Sequence, residues 1–184
     1  MKEVLIIAHF CGSLFDNGRN RFDYLAQLLH KSGFDVELVT SKFCHERKRV
    51  RNETIERDYK LTFVHEPPYT KNISLKRIYS HRVFGKNLEK YLSKRKKPDI
   101  IYCAVPSLDC SYAAAKYAKS NNIEFVIDVQ DIWPEVFEMA FNPPIIGKII
   151  YAPMYKKANY IYEGGGADSR CLSNLRTACL VCKQ

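Results

Sequence analysis

Short apolar runs of strand length alternate with longer stretches whose apolar residues recur at helical spacing. Five runs have the strand pattern, at 4–10, 36–40, 59–65, 99–105 and 124–129. The first, VLIIAHF, is apolar apart from His9, which is typical of a strand buried on both faces of a sheet. Strands that alternate with helices predict an α/β fold, with a parallel sheet covered by helices on both faces. In such a fold the functional site lies at the carboxyl ends of the strands.

The helical stretches have recognisable ends. The first carries its apolar residues between positions 22 and 29 and stops at Ser32 and Gly33. The second begins after Ser74, a residue type that caps helices, and runs to about Arg95. Its predicted buried stripe consists of Ile78, Phe84, Leu88, Tyr91 and Leu92. Two further helices are predicted at 108–120 and 145–157.

Three segments stand apart from this rhythm. Residues 41–58 are polar and basic, which predicts a loop or a solvated helix. Residues 158–162, ANYIY, predict one more strand. The segment 163–184 is rich in Gly, Ser, Arg and Cys and does not match the chain before it. We therefore expect a single domain at 1–162 and an atypical tail at 163–184, the product of a truncation or a frameshift.

Composition limits the number of domains and the compartment that we expect for the protein. The chain has 184 residues, 46% of them hydrophobic, which suits one packed domain. Its start lacks the cleavage site of a signal peptide, and no apolar run reaches the roughly 18 residues of a membrane span. Seven cysteines without a repeated framework favour a reducing, cytoplasmic compartment. The C-x-x-C pair Cys179 and Cys182 has no second pair, so no metal site is predicted.

Positive charge is concentrated in the middle of the chain. The segment 42–97 holds 17 Lys and Arg against six Asp and Glu, within a chain of net charge +9. Such a segment suits nucleic acid, an anionic membrane or a phosphate-bearing substrate. A solvated helix surface is the alternative, most clearly for residues 94–97. No recognised nucleic-acid motif accompanies the charge, so nucleic acid is the least favoured partner.

The segment 125–135, FVIDVQDIWPE, carries a resemblance to a known family. It resembles the strand and loop with an R-D-x-W-P-E type motif in family 4 glycosyltransferases of the GT-B fold, especially bacterial cell-surface polysaccharide enzymes. The stretches LAQLLHKSGFDVELVTS and KKANYIY stand where such enzymes place similar elements. The resemblance covers about the first 162 residues and implies a Rossmann-like N-terminal, acceptor-binding domain.

Two carboxylates in this segment are the predicted catalytic residues. Asp131 and Glu135 follow a strand at its carboxyl end, where one of them could orient or deprotonate an acceptor hydroxyl. The alternative for Asp131 is a cap on a helix that starts near Pro134. Trp133 offers a flat face for a sugar ring or a prenyl chain, and its alternative is burial in the core.

The remaining predicted residues would bind the acceptor. Gly12, Gly18, Arg19 and Asn20 lie in the loop after the first strand, which in such enzymes approaches the acceptor and the donor's phosphates. The loop lacks G-x-G-x-x-G spacing, so a plain turn is its alternative.

His9 lies near the end of the first predicted strand and could contact substrate, although a lone histidine is more often structural than catalytic, and Ser107 follows the fourth predicted strand. On the long helix, Arg77 and Arg82 with His81 could meet a pyrophosphate or anionic headgroups, and solvated surface is the alternative.

The resemblance also implies what the chain lacks. The C-terminal domain of such enzymes holds the nucleotide-sugar, so we expect this chain to bind a lipid-linked sugar acceptor and to use a nucleotide-sugar only with a supplied donor domain. No cofactor is predicted, and the expected location is peripheral, at the inner face of a bacterial membrane. The alternatives are one subunit of a two-chain transferase and a non-catalytic basic α/β module that binds nucleic acid or another polyanion.

Overall fold

The computed structural model describes residues 1–12, 20–52, 55–140 and 147–164. Its strands are β1 (Glu3–Ala8), β2 (Asp35–Ser41), β3 (Phe43–Cys44), β4 (Arg49–Val50), β5 (Lys60–Val64), β6 (Ile100–Val105) and β7 (Glu124–Val129). Its helices are α1 (Arg21–Lys31), α2 (Leu75–Leu92), α3 (Leu108–Asn121), α4 (Glu135–Ala140) and α5 (Gly147–Gly164).

Five of the strands form one parallel sheet in the order β5-β2-β1-β6-β7. The chain moves outward from β1 to β2 and β5, and then crosses back to place β6 on the other side of β1. The strand order therefore reverses between β1 and β6. In open α/β sheets a crevice for ligands forms at such a reversal, beyond the carboxyl ends of the strands. The predicted α/β, Rossmann-like architecture is confirmed.

Alternate residues of β1 enter two separate cores. Ile6 belongs to the cluster under α1, whereas Leu5 and Ile7 belong to the cluster under α2 and α3. All three side chains are fully buried. Burial on both faces explains why β1 is apolar from Val4 to Ala8, because each large apolar side chain contributes roughly 1.5–3 kcal/mol to folding. The helix α5 packs outside α3.

The predicted end of α1 and the predicted start of α2 are confirmed, whereas α2 ends at Leu92 rather than near Arg95. Asn20 caps α1, since its side-chain oxygen accepts hydrogen bonds from Phe22 N at 2.9 Å and Asp23 N at 3.3 Å. After α1, Gly33 has φ +87°, a conformation that favours glycine. Ser74 caps α2 through a hydrogen bond from Arg77 N to its hydroxyl at 3.2 Å.

The predicted strand at 158–162 is wrong, because these residues continue α5. Ala158, Ile161 and Tyr162 are buried, with the spacing of one helix face. Packing of that face beside α3 outweighs the strand preference of the aromatic and β-branched residues. Since α5 runs through Glu163 to Gly164, the boundary expected at 162 falls inside a helix. The rest of the tail lies outside the described residues.

The interpretation of 41–58 as a loop or a solvated helix is also wrong for part of its length. The strands β3 and β4 form an antiparallel hairpin. Phe43 and Cys44 are buried, as is Arg51, which donates hydrogen bonds to the carbonyl oxygens of Cys11 and Gly12. The hairpin therefore supports the start of the loop after β1.

Ile78 does not belong to the buried stripe of α2. Its side chain is 49% exposed, whereas Phe84, Leu88 and Leu92 are fully buried as predicted. Six residues separate positions 78 and 84, which is not a helical spacing, and it is His81 that continues the stripe toward the start of the helix. No helix within the described ranges is long and apolar enough to span a membrane.

Candidate functional site

A network of buried hydrogen bonds joins the loops at the carboxyl edge of the sheet. His9, directly after β1, lies with Nδ1 2.5 Å from the Ser107 hydroxyl and Nε2 3.1 Å from Glu66 Oε1. Ser41, at the end of β2, and Ser80, on α2, donate to the two oxygens of Glu66 at 2.5 and 2.6 Å. The network therefore ties four strand ends to α2, at the point where the strand order reverses.

Burial decides what this network can do. Ser107, His9 and Glu66 are at most 2% exposed. Burial alone would raise the pKa of Glu66, but the charge of His9 and the hydrogen bonds outweigh it, so this pKa lies below its usual value. A hydroxyl, an imidazole and a carboxylate in sequence also form the triad of serine hydrolases, but that chemistry needs a hydroxyl that touches substrate. The enclosed Ser107 hydroxyl does not, so the network supports the floor of the site.

An open pocket of about 470 Å³ lies beside the network, a size typical of small-molecule sites. His81 connects the two, because it lines the pocket and its ring centroid lies 4.9 Å from that of His9. The apolar lining comes from α2, α3, the loop after β7 and α5: Ile73, Ile78, Leu108, Trp133, Ile150, Tyr151, Pro153 and Met154. The charged lining consists of Arg77, Arg82, Lys157 and Asp109.

The pocket carries more positive than negative charge. Lys157 forms an ion pair with Asp109, which joins α5 to the start of α3. Arg82 is exposed. Arg77 is partly buried, and among the described residues no carboxylate forms an ion pair with it. Arg77 therefore brings to the pocket a charge that its protein surroundings do not neutralise.

The guanidinium of Arg77 is held by neutral groups and by aromatic rings. Its Nε donates to His81 Nε2 at 3.3 Å and its Nη1 donates to the carbonyl oxygen of Asn72 at 2.8 Å. Its centre lies 5.6 Å from the ring of Trp133 and 5.9 Å from the ring of Phe10, within the range of cation–π contacts. The side chain is thus oriented without loss of charge.

Trp133 is buried and also lies at the pocket, whereas its contact with a ligand stays a prediction. It is 8% exposed, and its ring stacks on that of His81 at 6.1 Å between centroids and 19° between planes. It also forms part of the pocket wall. Burial fixes the ring, and the remaining exposed part offers an apolar face to a ligand.

The two histidines near Arg77 are neutral. Burial, followed by the charges of His9, Arg77 and His45, lowers the pKa of His81 to about 2. Burial, followed by the charges of Lys48 and Arg77, lowers the pKa of His45 to about 4. A neutral imidazole has a nitrogen that accepts a hydrogen bond, as His81 does from Arg77.

The structure brings together some of the predicted residues and leaves others apart. Trp133, Arg77 and Arg82 share the pocket. Asp131 is exposed in the turn before α4 and Glu135 is the first residue of α4. Neither is among the described residues that line the pocket. Their catalytic roles stay predictions.

The predicted loop after β1 is described only at its ends. Gly12 lies in a turn against the side chain of Glu46, which leaves no room for a larger residue without movement. Asn20 is occupied as the cap of α1. Gly18 and Arg19 lie outside the described residues, so the phosphate contact predicted for this loop stays a prediction.

Several site residues escaped the sequence interpretation. Glu66, Tyr69 and Phe10 reach the site only because distant loops converge at the carboxyl edge of the sheet. Ile150 and Met154 line the pocket from α5, the helix that includes residues 158–162, for which the sequence predicts a strand. In the described part of the chain no group of three or more His, Cys, Asp or Glu could hold a metal ion.

The sequence matches no described protein family, and no curated protein is significantly similar to it. Solved structures do resemble it. Sucrose-phosphate synthase from Thermosynechococcus elongatus, a glycosyltransferase of the GT-B fold, aligns with 78% of this chain at a TM-score of 0.53 and 14% identity. The C-terminal domain of a hydrogenase from Pyrococcus furiosus aligns with 69% of this chain at a TM-score of 0.50 and 15% identity.

The alignment covers 91% of the hydrogenase domain but only 36% of the sucrose-phosphate synthase chain. At such identities the likeness shows the fold alone, and the two neighbours are differently named proteins that share one architecture. A function therefore has to be inferred from the site rather than from the fold. What the comparisons establish is that this chain has a Rossmann-like fold of the kind found in GT-B glycosyltransferases.

Proposed function

We propose that this chain is the acceptor-binding domain of a glycosyltransferase that transfers a sugar from a nucleotide-sugar to a lipid-linked polysaccharide precursor. The observation that carries the proposal is the pocket at the carboxyl edge of the sheet, which combines the Trp133 face with the unneutralised charge of Arg77. A lipid-linked sugar has a phosphate, an apolar chain and a sugar ring. In the pocket, Arg77 suits the phosphate, the apolar lining suits the chain, and the aromatic face of Trp133 suits the sugar ring.

The fold supports this proposal, since sucrose-phosphate synthase contains the same architecture within a longer chain. In this proposal Asp131 or Glu135 orients or deprotonates the acceptor hydroxyl. The nucleotide-sugar is bound by a second domain. The family 4 resemblance and a peripheral position at an anionic membrane belong to the same proposal.

The basic segment gives less support to polyanion binding than its composition indicates. Arg51, Arg57 and Arg95 all lie in this segment and use their guanidinium groups inside the fold, on backbone carbonyls or on carboxylates. They are not available to a phosphate backbone.

Binding of a short-chain lipid-linked sugar tests the proposal. The probe is farnesyl pyrophosphate carrying N-acetylglucosamine, and the reference is farnesyl pyrophosphate alone, both measured by calorimetry on the full chain. We expect the sugar-bearing probe to bind more tightly and Trp133→Leu to weaken it about tenfold, within the range for a buried aromatic contact. Tyr24→Ala is the control, since Tyr24 is an exposed aromatic residue on α1.

Equal affinity for the two probes would contradict recognition of a sugar. A steep salt-dependent affinity for single-stranded nucleic acid, without binding of either farnesyl probe, would favour the polyanion module instead. Sugar transfer after addition of a donor domain and a nucleotide-sugar would test the catalytic part of the proposal, and Asp131→Asn and Glu135→Gln would identify which carboxylate takes part.

A further inference from the structure

The two arginines of the pocket differ in how firmly they are placed. Arg82 is exposed on α2. An exposed side chain loses conformational entropy when a ligand orders it. Arg77 is fixed by hydrogen bonds to His81 and to the Asn72 carbonyl, and by two aromatic rings. An anion that binds Arg77 meets a charge already in position, so most of that ordering cost is absent.

The groups that hold Arg77 are all uncharged. Tyr69 is a further neutral neighbour of Arg77, because burial raises the pKa of its hydroxyl to about 12. The Asn72 carbonyl is neutral, and burial keeps His81 neutral by lowering its pKa to about 2. A carboxylate in any of these places would hold the side chain equally well but would neutralise it. The surroundings therefore orient Arg77 and leave its charge for a ligand.

His81 is the member of this set whose chemistry is most specific. Its Nε2 accepts a hydrogen bond from Arg77 Nε. Its ring also stacks with that of Trp133 and meets that of His9 edge-on. The same residue thus links the buried network, the aromatic wall and the cation of the pocket.

We propose that His81 is the positioning residue for Arg77, and that Arg77 so held is the subsite at which the pocket binds the anionic group of a phosphate ester with an apolar chain. The apolar chain lies along Trp133 and the aliphatic residues Ile78, Ile150 and Met154. The proposal rests on the acceptor pocket of the proposed function and deepens it, because it assigns the anion to Arg77 rather than to Arg82.

The test compares a charged and an uncharged probe of the same chain length. Octyl phosphate and 1-octanol are titrated into the full chain, and binding is followed by the fluorescence of Trp133, the single tryptophan, which lies in the pocket wall. His81→Phe keeps a ring against Trp133 but removes the acceptor for Arg77. His81→Gln keeps a neutral acceptor, and His81→Glu adds a charge that neutralises Arg77.

We expect His81→Phe and His81→Glu to weaken octyl phosphate about tenfold and to leave octanol unchanged, whereas His81→Gln stays within about threefold. Arg77→Gln should weaken octyl phosphate at least as much, and adding His81→Phe to it should cause no further loss, because the histidine acts only through the arginine. Arg82→Gln should cost less than about threefold.

A purely structural His81 would give a different result. Equal losses for both probes, an unchanged octyl phosphate affinity in His81→Phe, or no binding of octyl phosphate to the unaltered chain would each overturn the proposal. Unchanged octanol binding shows that each variant keeps the pocket. If His81→Phe does not fold, the contrast between His81→Gln and His81→Glu decides the question.

The source of the phosphate ester is read from a second arm of the experiment. Co-sedimentation with phosphatidylcholine vesicles, with and without phosphatidic acid, is measured for the same variants. A His81→Phe loss in both arms means that the subsite accepts a headgroup from a bilayer, and a loss with octyl phosphate alone means that it takes a free ester. Neither probe carries a sugar, so failure of sugar recognition would overturn the proposed function and leave this subsite standing.

Discussion

The two ends of α2 place an arginine in opposite surroundings. Arg95, just beyond the last turn, is 8% exposed in its side chain and lies between the carboxylates of Glu3 and Glu37. Arg77, in the first turn, is held by neutral acceptors and aromatic rings. Both side chains are ordered by several contacts. Only the second keeps its charge available.

The difference separates stability from binding. At the amino edge of the sheet, Glu37 is buried, and Thr62, Tyr91, Arg95 and Lys60 lower its pKa although burial alone would raise it. Charges that neutralise each other in this way fix elements together and offer nothing to a ligand. At the carboxyl edge, the charge of Arg77 has no carboxylate partner among the described residues and lies beside a pocket. That contrast supports the proposal that the pocket binds an anionic ligand.

The largest expected effect is at Arg95, whose charge is paired with two carboxylates. Arg95→Met leaves Glu3 and Glu37 without their shared partner, so we expect the free energy of unfolding to fall by about 3–5 kcal/mol. Urea denaturation at pH 7 measures it, with exposed Lys97→Met as the control. A loss below about 1 kcal/mol would mean that the ion pairs at this end are no more important than surface ones.

Gly85 lies between the two ends and sets the distance of α2 from α3. A methyl group at this position would lie 2.9 Å from the carbonyl oxygen of Asp109, so one helix must move. We expect Gly85→Ala to lower the free energy of unfolding by about 1–3 kcal/mol, the usual cost of overpacking. Because Asp109 also lines the pocket, octyl phosphate affinity should fall as well. A stabilised variant, as the better helix propensity of alanine would produce alone, would contradict the close approach.

Acid should destabilise the protein through two buried histidines, His81 and His45. Folding lowers the pKa of His81 from 6.5 to about 2, so the unfolded state binds more protons between these values. The contribution of His81 to the free energy of unfolding is complete above pH 6.5. Below that pH it declines by about 1.4 kcal/mol per pH unit, which is a loss of about 2 kcal/mol at pH 5. His45 adds to this loss down to its own pKa of about 4. In His81→Phe the decline between pH 7 and 5 should be shallower, and an equal slope would disprove the neutral, buried state.

The smallest effect on stability is expected at Arg77. Its partners are neutral, so Arg77→Gln strands no buried charge, and we expect less than about 1 kcal/mol in the free energy of unfolding. The same substitution should weaken octyl phosphate about tenfold. Thermal unfolding and the fluorescence titration, run on one sample, measure both quantities. A stability loss as large as that of Arg95→Met would erase the distinction between the two ends.

Much of the fold was readable because it follows from local patterns. The strand β1 is apolar from Val4 to Ala8 since it is buried on both faces, and Ser74 caps α2 by a rule that involves only neighbouring residues. The errors share a cause too. The strand predicted at 158–162 is a helix because α3 is available to bury its face, and the hairpin β3–β4 exists because Phe43 and Cys44 have a core to enter. Both depend on partners that are distant in sequence.

The sequence by itself predicted the α/β class, the parallel sheet and four residues that line the pocket: Arg77, His81, Arg82 and Trp133. The fold follows from residue periodicity, the three helix residues from the basic charge of the long helix, and Trp133 from the resemblance carried by 125–135. Only the tertiary structure decided that Arg77 is oriented and uncompensated, that His81 is neutral and that Ser107 is enclosed. Burial and charge pairing depend on which loops meet at the reversal of the strand order, and that meeting is a property of the folded chain rather than of any one segment.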